Sequence, residues 1–244
     1  MKKIILLVAI GSVLNLDCAR ASVVLANWTF ETYNAANSTG ATGPSLLAEA
    51  GLGAGVAVAT GVHASSSAQW SNPAGNGSAE SFSVNTWAAG DYFQFRASSL
   101  GYSGISLLWD QTGSSTGPTN FSLLYSTDSG ANFTQFATYA VVKSLNFSDG
   151  STGTGWASTK TATNTSFSYD FSSITGLDNS SNILFRLSQL NNITTGTTPV
   201  AATGTGRIDN VIITASVPEP STGALLVLGS VALVAVRSLR KKNS

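Results

Sequence analysis

The chain has 244 residues and a formal net charge of zero, with only 10% of its residues charged. That balance conceals a division, because Lys2, Lys3, Arg20, Arg237, Arg240, Lys241 and Lys242 all lie in the two ends. Between Ser22 and Val217 five basic residues face ten acidic ones, a net charge of −5. This excludes a nucleic-acid binder, since phosphate recognition needs clustered Lys and Arg.

Met1-Lys2-Lys3 gives a short positive start, and Ile4 to Leu16 an apolar run. Ala19-Arg20-Ala21 follows with the small-x-small pattern of a secretory cleavage site. These features predict passage through the Sec translocon and cleavage by signal peptidase between Ala21 and Ser22. Asp17 precedes the one cysteine, Cys18, where a lipoprotein signal would carry a small residue. Cleavage would leave a body with no disulfide and no thiol, held together by packing alone. The expected division is a signal peptide over 1–21, one domain over 22–216 and a C-terminal targeting segment over 217–244.

Within the domain, period-two alternation between Gly, Ser, Asn and Asp punctuation predicts strands. They fall at Val23–Thr32, Gly55–His63, Ser81–Thr86, Tyr92–Ala97, Gly104–Trp109, Asn120–Ser126, Phe133–Tyr139, Ser166–Phe171, Ile183–Leu190 and Arg207–Ala215. Asp128-Ser129-Gly130-Ala131 reads as the turn of a hairpin. Thr32–Gly55, Ser148–Thr165 and Asn191–Gly206 read as long loops of the same domain. With no amphipathic helix in evidence, the pattern predicts an all-β fold: an antiparallel two-sheet β-sandwich of jelly-roll type.

At the C-terminus, Val217-Pro218-Glu219-Pro220 leads into Ala224–Val236, which carries no charge. Arg237, Arg240, Lys241 and Lys242 close the chain. The apolar stretch is just long enough to cross a hydrocarbon core as a single transmembrane helix, with flanking cations snorkelling. The basic cluster would stay cytoplasmic and the body outside. Pro218-Glu219-Pro220, the apolar helix and the basic end together resemble the PEP-CTERM sorting signal. The resemblance implies recognition by exosortase, a membrane-embedded cysteine protease, and removal of the helix near the tripeptide. Two prolines hold that tripeptide extended, the form a protease cleft grips.

The opening Asn27-Trp28-Thr29-Phe30-Glu31 and closing Arg207-Ile208-Asp209-Asn210 resemble the first and last strands of carbohydrate-binding-module-like jelly rolls. In such modules acids at these two places share a structural calcium, which implies Glu31 and Asp209 here. The residues themselves also allow Asp209 to cap a neighbouring backbone or to pair with Arg207 or Arg186. No other cofactor is expected.

Catalytic material is sparse. His63 is the single histidine, follows an apolar run and has no Gly-x-Ser-x-Gly partner. The acids of a glycosidase sit in a cleft, usually with aromatic neighbours, whereas here the acids fall mostly at strand ends and turns. Trp70 and Trp156 sit in polar, loop-like settings, where an indole face either stacks on a sugar or folds over a loop to close the core. Asn-x-Ser/Thr sequons, including those at Asn27, Asn76, Asn132 and Asn146, are expected by chance in so Asn- and Ser-rich a chain. The leading expectation is a non-catalytic exported protein of the cell surface or extracellular matrix, sorted by exosortase and associated with exopolysaccharide and biofilm. The alternatives are a carbohydrate-binding module using the loop tryptophans and, third, a glycoside hydrolase.

Overall fold

The computed structural model describes residues 21–33, 37–194 and 197–217. The expected signal peptide up to Arg20, and the expected transmembrane helix, lie outside them. Alternating side chains demand a buried and a solvated face for each strand, and the chain answers with two packed sheets.

The first half supplies β1 (Ser22–Trp28), β2 (Ser38–Thr39), β3 (Leu46–Leu47), β4 (Val58–Val62), β5 (Gln69–Ser71), β6 (Phe82–Val84), β7 (Tyr92–Ala97) and β8 (Ser103–Gly113). The second supplies β9 (Asn120–Ser126), β10 (Thr134–Ala140), β11 (Leu145–Asn146), β12 (Thr152–Gly153), β13 (Ser166–Asp170), β14 (Ile183–Gln189) and β15 (Gly206–Ser216). One sheet runs β13-β8-β15-β6-β5-β2, with β1 also paired to β15; the other runs β10-β9-β14-β7-β4-β3. Every ladder is antiparallel. The fold is therefore the expected all-β sandwich.

Strand β15 organises the first sheet. Its Gly206–Ile208 pairs with β6 and its Val211–Ser216 with β1, while β8 lies along its other side. The change of partner falls at Asn210, whose φ of +49° lies in the left-handed region that Asn tolerates better than most residues. The register slips there, as at a β-bulge.

The space between the sheets is filled by aromatic rings. Trp28, Trp70, Trp109, Phe82, Phe93, Phe95, Phe121 and Phe185 are all fully buried. Trp70 stacks on Phe82 at 5.2 Å, and its indole N–H donates to the Gly40 carbonyl at 2.9 Å. Glycines make room for it: a Cβ at Gly61 would lie 2.5 Å from the ring, and one at Gly43 2.8 Å. A smaller cluster of Leu145, Phe147, Trp156 and Ala162 packs beneath the β11–β12 excursion.

The differences from expectation have local causes. Strand β1 stops at Trp28 rather than Thr32, because Phe30 takes φ +59° and the chain turns. The expected loops carry short strands: β2 and β3 lie inside Thr32–Gly55, and β12 inside Ser148–Thr165. The Asp128–Ala131 turn forms as expected, with Ser129 and Gly130 at positive φ.

Replacing Trp70 by Ala should lower the unfolding free energy by about 3–5 kcal/mol, through lost burial and a cavity. Gly61→Ala should cost about 1–3 kcal/mol by overpacking against the same ring. Urea unfolding followed by fluorescence measures both.

Candidate functional site

The residues at the expected front cut and just before the Pro-Glu-Pro tripeptide come together. The Val217 N–H donates to the Ala21 carbonyl at 3.0 Å, and Ser22 is the cross-strand partner of Ser216. The expected signal-peptide cut and the residue preceding Pro218 are thus neighbours at one end of the β1–β15 ladder. Ala19, Pro218, Glu219, Pro220, Arg237, Arg240, Lys241 and Lys242 lie outside the described residues.

Asp209 lies on β15 just before the bulge and is fully buried. Its Oδ2 accepts from the Asn76 N–H at 2.7 Å and the Ser78 hydroxyl at 2.8 Å, and its Oδ1 accepts from the Asn210 N–H at 2.7 Å. Asp110, its cross-strand neighbour on β8, accepts from the side-chain amides of Asn76 at 3.0 Å and Asn210 at 2.9 Å. Asn76 also accepts from the Ala162 N–H at 2.6 Å, tying the smaller apolar cluster to the main sheet. The loop is closed tightly on this node: a Cβ at Gly75 would lie 2.3 Å from Asp209 Oδ2. Burial pushes the Asp209 carboxyl up to about 6 despite these donors, and the charge of Asp110 adds to the rise.

Glu31 contacts the same loop elsewhere, its Oε1 accepting from the Glu80 N–H at 2.9 Å. The donor set around the expected Glu31–Asp209 pair does not fit a calcium ion. Backbone N–H hydrogens aim at Asp209 where a hard cation needs oxygen. Among the described residues no three His, Cys, Asp or Glu side chains gather to hold a metal. Asp209 is a capping group for Asn76 and Asn210, and Arg207 donates instead to the Ala74 carbonyl at 3.1 Å.

The tryptophans expected in loops are both inside. Trp70 is 0% exposed on β5 and Trp156 5% exposed in the smaller cluster. Neither indole offers a face to a sugar, because each closes a core beneath a polar segment. His63 is also buried, between Trp87 at 4.4 Å and Trp70 at 5.0 Å. Its Nδ1 faces Asp91 Oδ2 and the Thr86 carbonyl, both at 3.3 Å, while its Nε2 has no partner among the described residues. Burial lowers its pKa, outweighing the opposing charge of Asp91.

A cleft of about 450 Å³ opens beside the end of β1, lined by Trp28, Phe30, Tyr33, Pro44, Leu46 and Leu47. Glu49 shapes it: Oε2 accepts from the Thr29 N–H and hydroxyl, and Oε1 from the Thr32 N–H and hydroxyl, both at 2.7 Å. Burial alone would raise the Glu49 pKa, but these four donors pull it below the usual value. The turn they fix holds Phe30 in its left-handed conformation. Sequence reasoning passed over this cleft and Asn76. The aromatic alternation Trp28-Thr29-Phe30 looked like uninterrupted strand, and Asn76 looked like a chance sequon.

Residues 216–241 match the PEP-CTERM protein-sorting motif. The motif implies export with a C-terminal membrane anchor that an exosortase processes. No curated protein matches the chain. Among solved structures, the K1 cleaved adhesin domain of Lys-gingipain from Porphyromonas gingivalis W83 is similar over 79% of this chain and 97% of that one, at 11% identity and a TM-score of 0.42. CBM35 from Cellvibrio japonicus Abf62 covers 82% and 100% at 13% identity and a TM-score of 0.35. TmCBM61, solved with β-1,4-galactotriose, covers 64% and 86% at 12% identity and a TM-score of 0.35. Likeness at this level carries no information on ligand or activity.

Two outcomes follow from the Asp209 node. Below about pH 3 Asp209 is protonated in both states and costs nothing. As pH rises towards 6 the unfolded chain ionises first, so stability should fall by about 3 kcal/mol. Asp209→Asn should abolish that slope, read as the difference between variant and wild-type unfolding curves; His63, whose slope has the opposite sign, cancels in the difference. Excess chelator should leave the melting temperature of calcium-grown protein unchanged, and a fall of several degrees would restore the ion.

Proposed function

We propose that this is an exported, non-catalytic surface protein, released to the cell surface or extracellular matrix by an exosortase acting at Pro218-Glu219-Pro220. The Sec translocon and signal peptidase would handle the front end, and exopolysaccharide is the partner expected after release. The observation that carries this reading is the position of the sorting motif, which begins at residue 216, the last residue of the last core strand. A folded body is thereby complete just before the processing segment starts.

The absence of catalysis is supported by the state of the candidate groups. The single imidazole is enclosed by indoles, with no hydroxyl or thiol nucleophile bonded to it among the described residues. The buried carboxylates Asp110, Asp209 and Asp91 accept from Asn amides or backbone N–H groups. Glu49, the acid of the cleft, is likewise committed to Thr29 and Thr32. Asp91, Asp110 and Asp209 are also buried away from any substrate, and Glu49 is held by four donors, which supports structural rather than acid–base roles.

The test replaces Pro218, Glu219 and Pro220 together by Ala in the producing cell. The apolar span and basic end remain, so insertion should be normal while processing fails. Uncut precursor should then accumulate in the inner membrane, with mature protein at the surface falling at least tenfold, about 1.4 kcal/mol in the effective barrier. A variant trimmed and exported like the wild type would defeat the sorting reading and leave an ordinary anchor.

A further inference from the structure

Large apolar side chains on the surface are not spread evenly. Of the eight that stand exposed among the described residues, five belong to one end of the sandwich: Val24, Leu52, Val56, Leu100 and Val217. The ladders place them together. Ser22 pairs with Ser216 and Ser216 with Ser103, so β1 and β8 start, and β15 finishes, at this end. The loop preceding β8 carries Leu100. The loop 51–57 is fixed against β1 by the Leu52 N–H to the Val24 carbonyl at 3.1 Å. Val56 and Arg96 line one shallow groove of about 240 Å³ with Ser98 and Asn182. Leu52 is 60% exposed, Leu100 56% and Val56 73%, values that leave most of each side chain in water.

This is also the end from which both processing segments depart. Only six residues, 218–223, separate Val217 from the uncharged stretch beginning at Ala224. Fully extended, that linker reaches about 25 Å, so an anchored chain holds this end against the bilayer. The local charges are mixed. The Arg96 guanidinium has no hydrogen-bond, ion-pair or aromatic partner among the described residues. Three carboxylates share this end, and each accepts from a backbone N–H: Asp128 from Asn132, Asp170 from Ser172 and Asp178 from Gly104. The apolar side chains, rather than a net positive charge, therefore carry the contact.

We propose that Leu52, Val56 and Leu100 form a membrane-contacting tip that enters the lipid headgroup region while the C-terminal helix is inserted, with Arg96 on lipid phosphate. This rests on the anchored intermediate of the sorting reading and adds an oriented docking of the body to it. Apolar side chains on loops gain by entering the interface, as those of interfacial helices do, and a cation at the rim suits the headgroup layer. The tip fixes the body upright over the anchor, so that the linker to the protease always leaves from the same side.

The experiment uses the full chain with Cys18 replaced by Ser, reconstituted in vesicles of phosphatidylethanolamine and phosphatidylglycerol. Single cysteines at positions 52, 56, 100 and, at the opposite end, 142 carry an environment-sensitive fluorophore. Flotation measures insertion independently. Floating protein should show blue-shifted emission at 56 and 100, with several-fold slower quenching by an aqueous quencher than at 142. Equal quenching at all positions in floating protein would overturn the tip and leave the sorting reading standing. Protein that does not float would overturn both. Shielding at 56 and 100 that appears only when exosortase is co-reconstituted would assign the surface to that protein, and so also overturn the lipid contact. Leu100→Ser with Val56→Ser should still float, while a fluorophore at position 52 loses most of its blue shift and is quenched several-fold faster; unchanged emission and quenching at 52 in the floating variant would overturn the proposal.

Discussion

The pairing of the first strand with the last is the constraint on which the rest of this molecule depends. It inserts β1 beside β15, and so completes the sheet that carries Trp28, Trp109 and Ile213 into the core. It also sets Ala21 and Val217, the described residues nearest the two ends, one hydrogen bond apart. Contacts between residues some two hundred positions apart close only after the whole body has been made. Such non-local pairing is slow, because the entropy of loop closure is lost before the contacts form.

A body without a disulfide must find its cohesion elsewhere, and the aromatic core supplies it. The rings meet edge-on or tilted as well as stacked: Phe93 lies 5.4 Å from Phe82 and 5.1 Å from Trp87. Each buried indole must place its N–H, and Trp28, Trp70 and Trp87 all donate to backbone carbonyls at 2.9–3.1 Å. The polar node at Asp110 and Asp209 works differently. It gains little net energy, since both carboxylates are buried side by side, but it binds three segments that share no strand: the loop at Asn76, the bulge at Asn210 and the excursion at Ala162. Buried polar networks of this kind trade stability for a defined arrangement.

What the sequence made legible was periodicity. Tyr92–Ala97 and Asn120–Ser126 agree with their strands to the residue, because Phe93/Phe95 and Phe121/Leu123 alternate with polar neighbours and turn residues bracket both. What it hid was conformational. Nothing in Trp28-Thr29-Phe30 announces that Phe30 will turn left-handed, since the cause is a carboxylate at Glu49, twenty residues away from Thr29. Trp70 was hidden for a similar reason. Its polar neighbours Gln69 and Ser71 look like loop, yet alternation over three residues already suffices for a strand when glycines opposite admit the ring. The calcium expectation had a sound chemical basis in the acids at both ends of the fold. It gave no sign of Asn76, whose backbone N–H bonds Asp209 and whose side-chain amide bonds Asp110.

The sorting motif has a structural requirement that the end of β15 meets. A proline has no N–H to give, so Pro218 cannot extend the ladder beyond Val217, and Pro220 repeats the interruption two residues on. Strand pairing would otherwise tend to run into the processing segment and take up the backbone groups that a protease cleft must grip. With Val217 already bonded to Ala21, the ladder ends one residue before the tripeptide. Proline at both positions thus favours extended backbone and has no N–H to offer a continuing ladder, two properties that act in the same direction for a segment a protease must reach.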